Sequence, residues 1–149
     1  MTFFNFDLMF YFDLPDYYEE ISKSDYKEYG FDKSTLNVFI TSRKHKPFNS
    51  ISINRDDEAK DEKEFEELVD LNIQNMTEIG FENFRLATYK NTNGRVDVLY
   101  SSFKTLKYAT YFTCINGTVI ASSAEIKEEN DPNEKDLEGL FDSIRAFTI

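Results

Sequence analysis

Two side chains that often carry chemistry occur only once each in this 149-residue chain, His45 and Cys114. A single histidine rules out a metal site built from several imidazoles, and its place among Arg43, Lys44 and Lys46 disfavours a cysteine–histidine pair. A reactive thiol needs an exposed, basic setting. Cys114 instead lies beside a hairpin signal and among apolar residues, which predicts a small core residue without a catalytic role.

Carboxylates are abundant, and their densest run is DDEAKDEKEFEE at residues 56–67. Such a run can bind a cation, or it can form the solvated first turns of a helix, where the helix dipole favours acids. The periodic apolar residues that follow favour the helix. The five glycines form neither a GxGxxG motif nor a phosphate-binding loop. The sequence therefore predicts no catalytic residue, no metal site and no cofactor, and we expect that the protein is not an enzyme.

Tyr89, Tyr100 and Tyr111 are the best candidates for a binding site. Each lies in an alternating stretch, and a hairpin register places all three on one face of a sheet. A two-residue loop at Asn93-Gly94 puts Tyr100 opposite Ala87, and an even-length turn near residues 104–107 puts it opposite Tyr111. Large amphipathic rings beside small side chains form a groove that suits an apolar helix or a peptide. The alternative is that one of the protein's own helices fills this groove.

The charge balance restricts the possible partners. Lys and Arg number 17 against 28 Asp and Glu, which gives a net charge of −11. Phosphate backbones and anionic membranes would be repelled, so we expect no nucleic acid partner. Asn5, Asp7 and Asp13 interrupt the aromatic opening, which predicts no membrane insertion. One cysteine cannot form an intramolecular disulfide, and this favours the reducing cytoplasm.

The opening residues FFNFDLMFYFDLPDYYEE (3–20) predict a strand. Every even position from Phe4 to Leu14 is apolar while half of the odd positions are polar, and this period of two is typical of a half-buried strand. We therefore expect Phe10 and the other even aromatics to lie mainly in the core. Pro15 ends the strand and suits the first turn of a short helix through Ile21.

The middle of the chain predicts more strands and one long helix. The helix is indicated by hydrophobic residues that recur at steps of three and four up to Ile79. Asp61 is a suitable N-cap for this helix, and Gly80 is suited to end it. The expected strands are 26–31, 36–42 and 50–54, and the expected helix is 56–79.

The last third predicts a four-stranded meander and a final helix. Asn93-Gly94 and Asn116-Gly117 are strong hairpin signals, a third turn falls near residues 104–107, and Asp131 begins a capping box. Both faces of the meander are largely apolar, so both need cover. We therefore predict an α+β fold, an antiparallel sheet with helices on both faces (an α/β/α sandwich), in a single domain over residues 1–149.

The order of elements resembles the PsbP-like family, whose fold is shared by PsbP, the Ran-binding Mog proteins and bacterial DcrB-like domains. The residues that carry the resemblance are FDLP at 12–15, the following Tyr17 and Tyr18, and Ser143 near the end of the last helix. The resemblance extends over nearly the whole chain. It implies an antiparallel sheet between helices and a non-enzymatic binding module, and it brings no active site with it.

These observations predict a small cytoplasmic protein-binding module, such as an adaptor, a chaperone or an immunity-type protein, with an unknown protein or peptide partner. The alternative is a carrier of a small molecule or peptide that uses the tyrosine-lined face. We expect a partner to contact that face rather than the basic segment 43–46, since exposed charges are screened and contribute little each. The oligomeric state stays open.

Overall fold

The structure is a computed structural model that describes residues 1–41, 49–127 and 132–148. Ten strands, two α-helices and one 3-10 helix lie within these ranges. The basic segment 43–46 and the predicted cap Asp131 lie outside the described residues. In chain order the elements are β1 (Thr2–Asn5), β2 (Phe10–Asp13), β3 (Tyr18–Glu20), the 3-10 helix (Lys23–Tyr29), β4 (Asn37–Thr41), β5 (Ser50–Glu58), α1 (Glu62–Ile79), β6 (Glu82–Asn91), β7 (Gly94–Phe103), β8 (Leu106–Ile115), β9 (Thr118–Ile126), α2 (Pro132–Ser143) and β10 (Arg145–Ala146).

The strands form two antiparallel sheets. The larger sheet has seven strands in the order β3-β4-β5-β9-β8-β7-β6, and the smaller has three in the order β1-β2-β10. Helix α1 and the 3-10 helix pack on one face of the larger sheet, while α2 and the smaller sheet pack on the other. The predicted α+β fold with helices on both faces is confirmed, and the smaller sheet is an addition that the sequence did not predict.

The face under α1 is closed by two adjoining clusters. In the first, Phe65 and Val69 of α1 pack on Leu99, Phe112 and other inward residues of the meander. In the second, the 3-10 helix covers the outer strands, and the buried residues are Ile21, Tyr26, Val38 and Ile40.

The face under α2 holds the main core. Leu137, Leu140 and Phe141 of α2 are buried against the sheet, and Phe10 and Phe12 of the smaller sheet complete the same cluster. All five side chains are at most 1% exposed. The stripe of Leu137, Leu140 and Phe141 is the one that the helical spacing of the sequence predicts.

Helix α1 begins and ends where its capping residues predict. The Asp61 carboxylate accepts a hydrogen bond from the Glu64 N–H at 2.9 Å, and Gly80 adopts a φ of 119° and donates to Met76 O. The predicted start at residue 56 is wrong, because β5 continues to Glu58 and pairs with β9. The acidic run therefore ends β5 (56–58), continues through a link (59–61) and begins α1 (62–67).

The two Asn-Gly pairs form different turns. Asn116 and Gly117 both have positive φ values (51° and 81°) and Ile115 pairs with Thr118, which confirms the predicted two-residue turn. At the first hairpin only Gly94 has a positive φ, and Asn91 pairs with Gly94. The loop there is Thr92-Asn93, since the Asn91 side chain accepts a hydrogen bond from the Asn93 N–H at 2.9 Å.

The opening stretch is a hairpin rather than one continuous strand. Thr2 pairs with Asp13 and Asn5 with Phe10, so the chain reverses between them. The Asn5 carboxamide oxygen accepts a hydrogen bond from the Leu8 N–H at 2.9 Å and stabilises the loop. Phe10 is buried as predicted, whereas Phe4 and Phe6 are 56% and 66% exposed. The expectation of a mainly buried even face holds for Phe10 and Phe12 and is wrong for Phe4 and Phe6, because the reversal of the chain turns these two outward.

Two shorter predictions are also wrong. Pro15 is followed by a turn and by β3, not by a helix through Ile21, because Tyr18–Glu20 pairs with β4. The expected strand 26–31 is mostly the 3-10 helix, which Gly30 ends at a φ of 82°. In both places a tertiary contact decides the local structure: Tyr18 and Tyr26 are each 1% exposed.

The residues that carry the family resemblance contact one another. The Ser143 hydroxyl accepts a hydrogen bond from the Asp13 N–H at 2.8 Å and donates to Leu140 O at 2.7 Å. The buried Tyr18 hydroxyl donates to the Asn133 side-chain oxygen at 2.5 Å. These bonds attach the opening hairpin and β3 to α2, and they satisfy polar groups that would otherwise be buried without partners.

Replacing Phe10 by Ala should lower the free energy of unfolding by about 3–5 kcal/mol, because a fully buried ring leaves a cavity. Phe6→Ala is the matched control, since the Phe6 side chain is mostly exposed, and it should change stability by no more than about 0.5 kcal/mol. Urea unfolding measures both. Equal losses for the two variants would contradict the hairpin.

Replacing Gly139 by Ala should raise the free energy of unfolding by about 0.5–1 kcal/mol, because an added Cβ meets no atom within 4 Å inside α2. Replacing Gly80 by Ala should lower it by about 1–2 kcal/mol, because φ is 119° there and the new Cβ would lie 3.3 Å from the Phe103 ring. Thermal and denaturant melts of the two variants should move in opposite directions. A stabilised Gly80→Ala protein would refute the capping geometry.

Candidate functional site

The three predicted tyrosines lie on one face of the larger sheet, in a register that differs from the predicted one. Tyr100 pairs with Arg85 and Ala109, not with Ala87 and Tyr111. Both hairpins are displaced by two residues from the predicted pairing, and a shift of two keeps each side chain on its face. The face is therefore correct although the neighbours are not.

Helix α2 occupies the middle of this tyrosine face. Tyr111 is 3% exposed, and its ring centroid lies 5.5 Å from that of Phe141 and 6.4 Å from that of Tyr89. The protein's own helix thus fills the centre of the predicted groove, which is the alternative that the sequence left open. Tyr89 and Tyr100 lie at the margin of α2 and remain half-buried.

The two marginal tyrosines donate hydrogen bonds to acids of α2. Tyr89 Oη donates to Asp142 Oδ1 at 3.0 Å, and Tyr100 Oη donates to Glu134 Oε1 at 2.5 Å. Burial and the hydrogen bond to Glu134 raise the pKa of Tyr100 to about 12, and burial together with the Asp142 charge also raises the pKa of Tyr89. Both phenols stay protonated near neutral pH, so they can donate hydrogen bonds but cannot act as bases.

A cleft of about 890 Å³ opens beside Tyr100, where the ends of four strands meet the beginning of α2. Its wall carries three cations, Arg85, Lys107 and Lys127, and two acids, Glu125 and Glu134, of which Glu134 already accepts a hydrogen bond from Tyr100. The Arg85 guanidinium lies 4.1 Å from the Tyr100 ring centroid. Ser101 also lines the cleft, and its hydroxyl is buried without a hydrogen-bond partner in the part of the chain that the structure describes.

Four aromatic side chains form a second surface on the outer face of the smaller sheet. We call Phe4, Phe6, Tyr11 and Phe147 the aromatic patch. The Phe4 ring centroid is 5.9 Å from Phe6, 5.5 Å from Tyr11 and 6.0 Å from Phe147. These rings contact each other and point away from the core, because Phe3 and Phe12 take the inner positions of the same strands. An exposed cluster of this kind is uncommon on a protein without partners.

The backbone beneath the aromatic patch is well bonded. Phe147 N–H donates to Met9 O at 3.0 Å, and β2 pairs with strands on both sides. Asp7 and Asp13 are exposed at the rim, and Arg145, which pairs with Tyr11, donates to two carbonyl oxygens of its own segment. The patch is therefore a preorganised apolar surface with an acidic rim.

Sequence reasoning missed the aromatic patch. Phe147 lies far from β1 in the sequence. The pairing of the short β10 with β2 brings Phe147 next to Phe4. The available signal was the pair of polar residues Asn5 and Asp7 within the aromatic run, which marks the loop of the hairpin. When Asn5 and Asp7 are interpreted as polar positions within one continuous strand, Phe4 and Phe6 are assigned to the wrong face of the sheet.

The remaining chemical candidates have the following surroundings. Burial raises the pKa of the Cys114 thiol, which lies half-buried 3.8 Å from Ala59 O. His45 lies outside the described residues. Within residues 1–41, 49–127 and 132–148, no group of three His, Cys, Asp or Glu side chains could hold a metal ion. In the same ranges, neither helix has the length and apolar character needed to cross a bilayer.

Known proteins match this chain in structure but not in sequence. No family model and no curated protein matches it. Cyanobacterial PsbP (CyanoP) from Synechocystis sp. PCC 6803 superposes with a TM-score of 0.68 at 11% identity, over 99% of this chain and 92% of that one. The Ran-binding protein Mog1p from Saccharomyces cerevisiae gives a TM-score of 0.63 at 10% identity, over 98% and 94%.

A third match is a crystal structure from Bacteroides thetaiotaomicron, with a TM-score of 0.54 and 11% identity, over 99% of this chain and 48% of that longer one. At identities this low, the matches establish the arrangement of helices and strands. The same arrangement follows from the sequence resemblance, which is confirmed at the level of the fold. This chain has the PsbP-like fold, with an antiparallel sheet between helices.

Proposed function

We propose that this protein is a non-catalytic module that binds another protein, and that the partner docks on the aromatic patch. The observation that carries the proposal is the exposure of Phe4 and Phe6, at 56% and 66%, within a cluster of contacting rings. Aromatic side chains on a fixed backbone contribute a large share of the binding energy at many interfaces. Burying them on folding would have been favourable, so their outward position needs another reason.

The chemistry of the patch selects the class of partner. The rings would accept an apolar segment, and the acidic rim of Asp7 and Asp13 would attract lysine or arginine beside that segment. The net charge of −11 acts in the same direction at longer range. The same charge disfavours nucleic acids and anionic membranes as occupants of the surface.

The fold supports protein binding only as a class of function. Mog1p, one of the structural neighbours, is a Ran-binding protein by name. Protein recognition is thus a known use of this architecture, although 10% identity gives no reason to transfer the partner itself. We further propose that the protein has no enzymatic activity and works in the cytoplasm, on the ground that its single cysteine suits a reducing compartment.

A double variant, Phe4→Ser with Phe6→Ser, should lose at least about tenfold in affinity for the partner, because two central anchors are removed. Affinity capture from lysate of the native host identifies candidate partners, and titration with the purified partner measures the loss. The variant should keep its melting temperature within about 2 °C, since both rings are exposed.

The matched control is Leu71→Ser with Ile79→Ser, which removes two exposed apolar side chains from α1 (48% and 66% exposed). This control should bind the partner as the wild type does. A partner that stays bound to the patch variant would contradict the proposal. If Tyr100→Ala alone abolishes binding, the partner uses the margin of the tyrosine face instead.

The cleft beside Tyr100 favours a second candidate function, a carrier of a small molecule. Arg85, Lys107 and the unpartnered Ser101 hydroxyl together suit a small anion with an apolar portion that packs on the tyrosine ring. The cleft has three cations against two acids, whereas the chain as a whole has a net charge of −11. This candidate keeps Tyr100 as a binding residue and needs no movement of α2.

A ligand of this kind should raise the melting temperature by about 5–10 °C at a concentration of 100 times its dissociation constant. A thermal-shift screen of small carboxylates and phosphates provides the measurement. Arg85→Gln should abolish the shift, while Lys33→Gln, which removes one exposed positive charge elsewhere, should leave it intact. A screen without any Arg85-dependent shift would argue against the carrier.

A further inference from the structure

The seven-stranded sheet ends at an open edge. Strand β6 pairs with β7 on one side, and it is the last strand of the sheet order. Within the described residues, no other strand pairs with it. Six of its positions between Glu82 and Thr88 are exposed. An edge of this length is a template onto which another extended segment can be added.

The backbone of β6 is regular over most of its length. A register shift falls between Glu82 and Arg85, where Asn83 has a φ of 57°, and from Arg85 to Asn91 the pairing is continuous. In an antiparallel ladder, alternate residues direct their N–H and C=O groups to the neighbouring strand. Counting back from the Asn91–Gly94 pair, the residues that direct theirs outward are Leu86, Thr88 and Lys90.

Helix α2 runs alongside this edge in the same direction. Its Glu134 accepts a hydrogen bond from Tyr100, which pairs with Arg85 at the start of the regular stretch. Its Asp142 accepts hydrogen bonds from Tyr89 and, at 3.1 Å, from Asn91, at the end of the same stretch. The backbone of α2 packs over β9, β5 and β8, and the side-chain bonds of Asp142 connect its end to β6. We call the strip of sheet between α2 and the open edge the groove.

The wall of the groove is acidic and evenly spaced. Glu134, Glu138 and Asp142 recur every fourth residue, which is a step of about 6 Å along a helix. Alternate residues of a strand are about 6.7 Å apart. Within the described chain, neither Glu138 nor Asp142 has a lysine or arginine at ion-pair distance. Both carboxylates are exposed. Asp142 accepts hydrogen bonds from Tyr89 and Asn91, and because both donors are neutral they leave its charge uncompensated.

The floor of the groove accommodates side chains. Ala87 is exposed between Arg85 and the half-buried Tyr89, so a small residue separates two large ones on this face. On the opposite face of the same edge, Leu86 is 45% exposed. A strand added here would thus meet Arg85 and the acids of α2 on one face, and Leu86, Thr88 and Lys90 on the other.

We propose that the open edge of β6 binds an extended segment of a partner protein, in which lysine or arginine alternates with apolar residues. The segment pairs with the outward backbone groups of Leu86, Thr88 and Lys90. Its cations reach Glu138 and Asp142, and its apolar residues cover Leu86. This surface shares no residue with the aromatic patch, so the two proposals can fail independently.

The probe is an eight-residue peptide of alternating lysine and valine, acetylated and amidated at its ends. In amide NMR spectra of the whole protein, titration should shift the signals of 85–91 and leave those of the aromatic patch unchanged. The outward N–H groups of Leu86, Thr88 and Lys90 should exchange slowly with solvent only when the peptide is bound. A peptide with glutamate in place of lysine should not bind.

Backbone methylation of the peptide distinguishes strand addition from charge attraction alone. Methylating every valine N–H should weaken binding more than about tenfold if the segment runs antiparallel, while methylating every lysine N–H should leave binding intact. A parallel segment gives the reverse result. Equal binding by both methylated peptides, loss by both, shifts confined to signals outside 85–91 and 138–142, or no binding at millimolar concentration would overturn the proposal.

The acidic wall is tested by a matched pair of variants. Glu138→Gln should lower the affinity for the lysine–valine peptide by at least about threefold. Glu67→Gln, which removes one exposed acid from α1, should leave that affinity unchanged. Both variants should melt at the wild-type temperature. If Glu138→Gln and Glu67→Gln weaken binding equally, the peptide is attracted by net charge alone and the proposed site is wrong. The proposal is also wrong if β6 pairs with a second copy of this chain in place of the peptide.

Discussion

Both faces of the seven-stranded sheet carry apolar side chains, and the rest of the structure follows from the need to cover them. Leu99 and Phe112 require a cover on one face, while Val98 and Tyr111 require one on the other. One helix is too narrow for seven strands, since a helix with its side chains is about 10–12 Å across and strands lie about 4.8 Å apart. The 3-10 helix and the smaller sheet supply the missing cover at the side of β4.

The limits of this cover define the surfaces that remain for other molecules. The smaller sheet uses its inner face, with Phe10 and Phe12, to complete the main core, and it is left with an outer face of its own. Helix α2 covers Tyr111 but reaches only partly over Tyr89 and Tyr100, and the edge of β6, which contains Tyr89, stays unpaired among the described strands. Both proposed binding surfaces are therefore by-products of how the core is closed.

The sequence predicts those features that local physics decides. The caps Asp61 and Gly80 and the turn at Asn116-Gly117 depend on a few neighbouring residues, and all three form as expected. The turn at Asn93-Gly94 fails because Asn91 competes with it and Asn93 donates its side-chain amide to Ile144 O at 2.8 Å. Such distant partners leave no periodic signal in the sequence.

The candidate sites follow the same rule. Alternation within β6, β7 and β8 assigns the tyrosines to the correct face, because an error of two residues in register does not change the facing. Whether Tyr111 is covered depends on the position of α2 on the sheet. The packing of Phe141 on Tyr111 is part of what fixes that position. The aromatic patch depends on Phe147, which no local pattern connects to Phe4.

The smaller sheet joins segments that are made at opposite times during synthesis. Its central strand β2 is made well before β10 and Ser143, whose contact with Asp13 spans 130 residues. At about 5–20 residues per second, the hairpin waits roughly 7–26 seconds for its second neighbour. Throughout that interval Phe10 and Phe12 have no α2 to pack against, so the nascent chain displays more aromatic surface than the finished protein does. The late closure of this sheet thus leaves the inner face of the opening hairpin uncovered until α2 and β10 have been made.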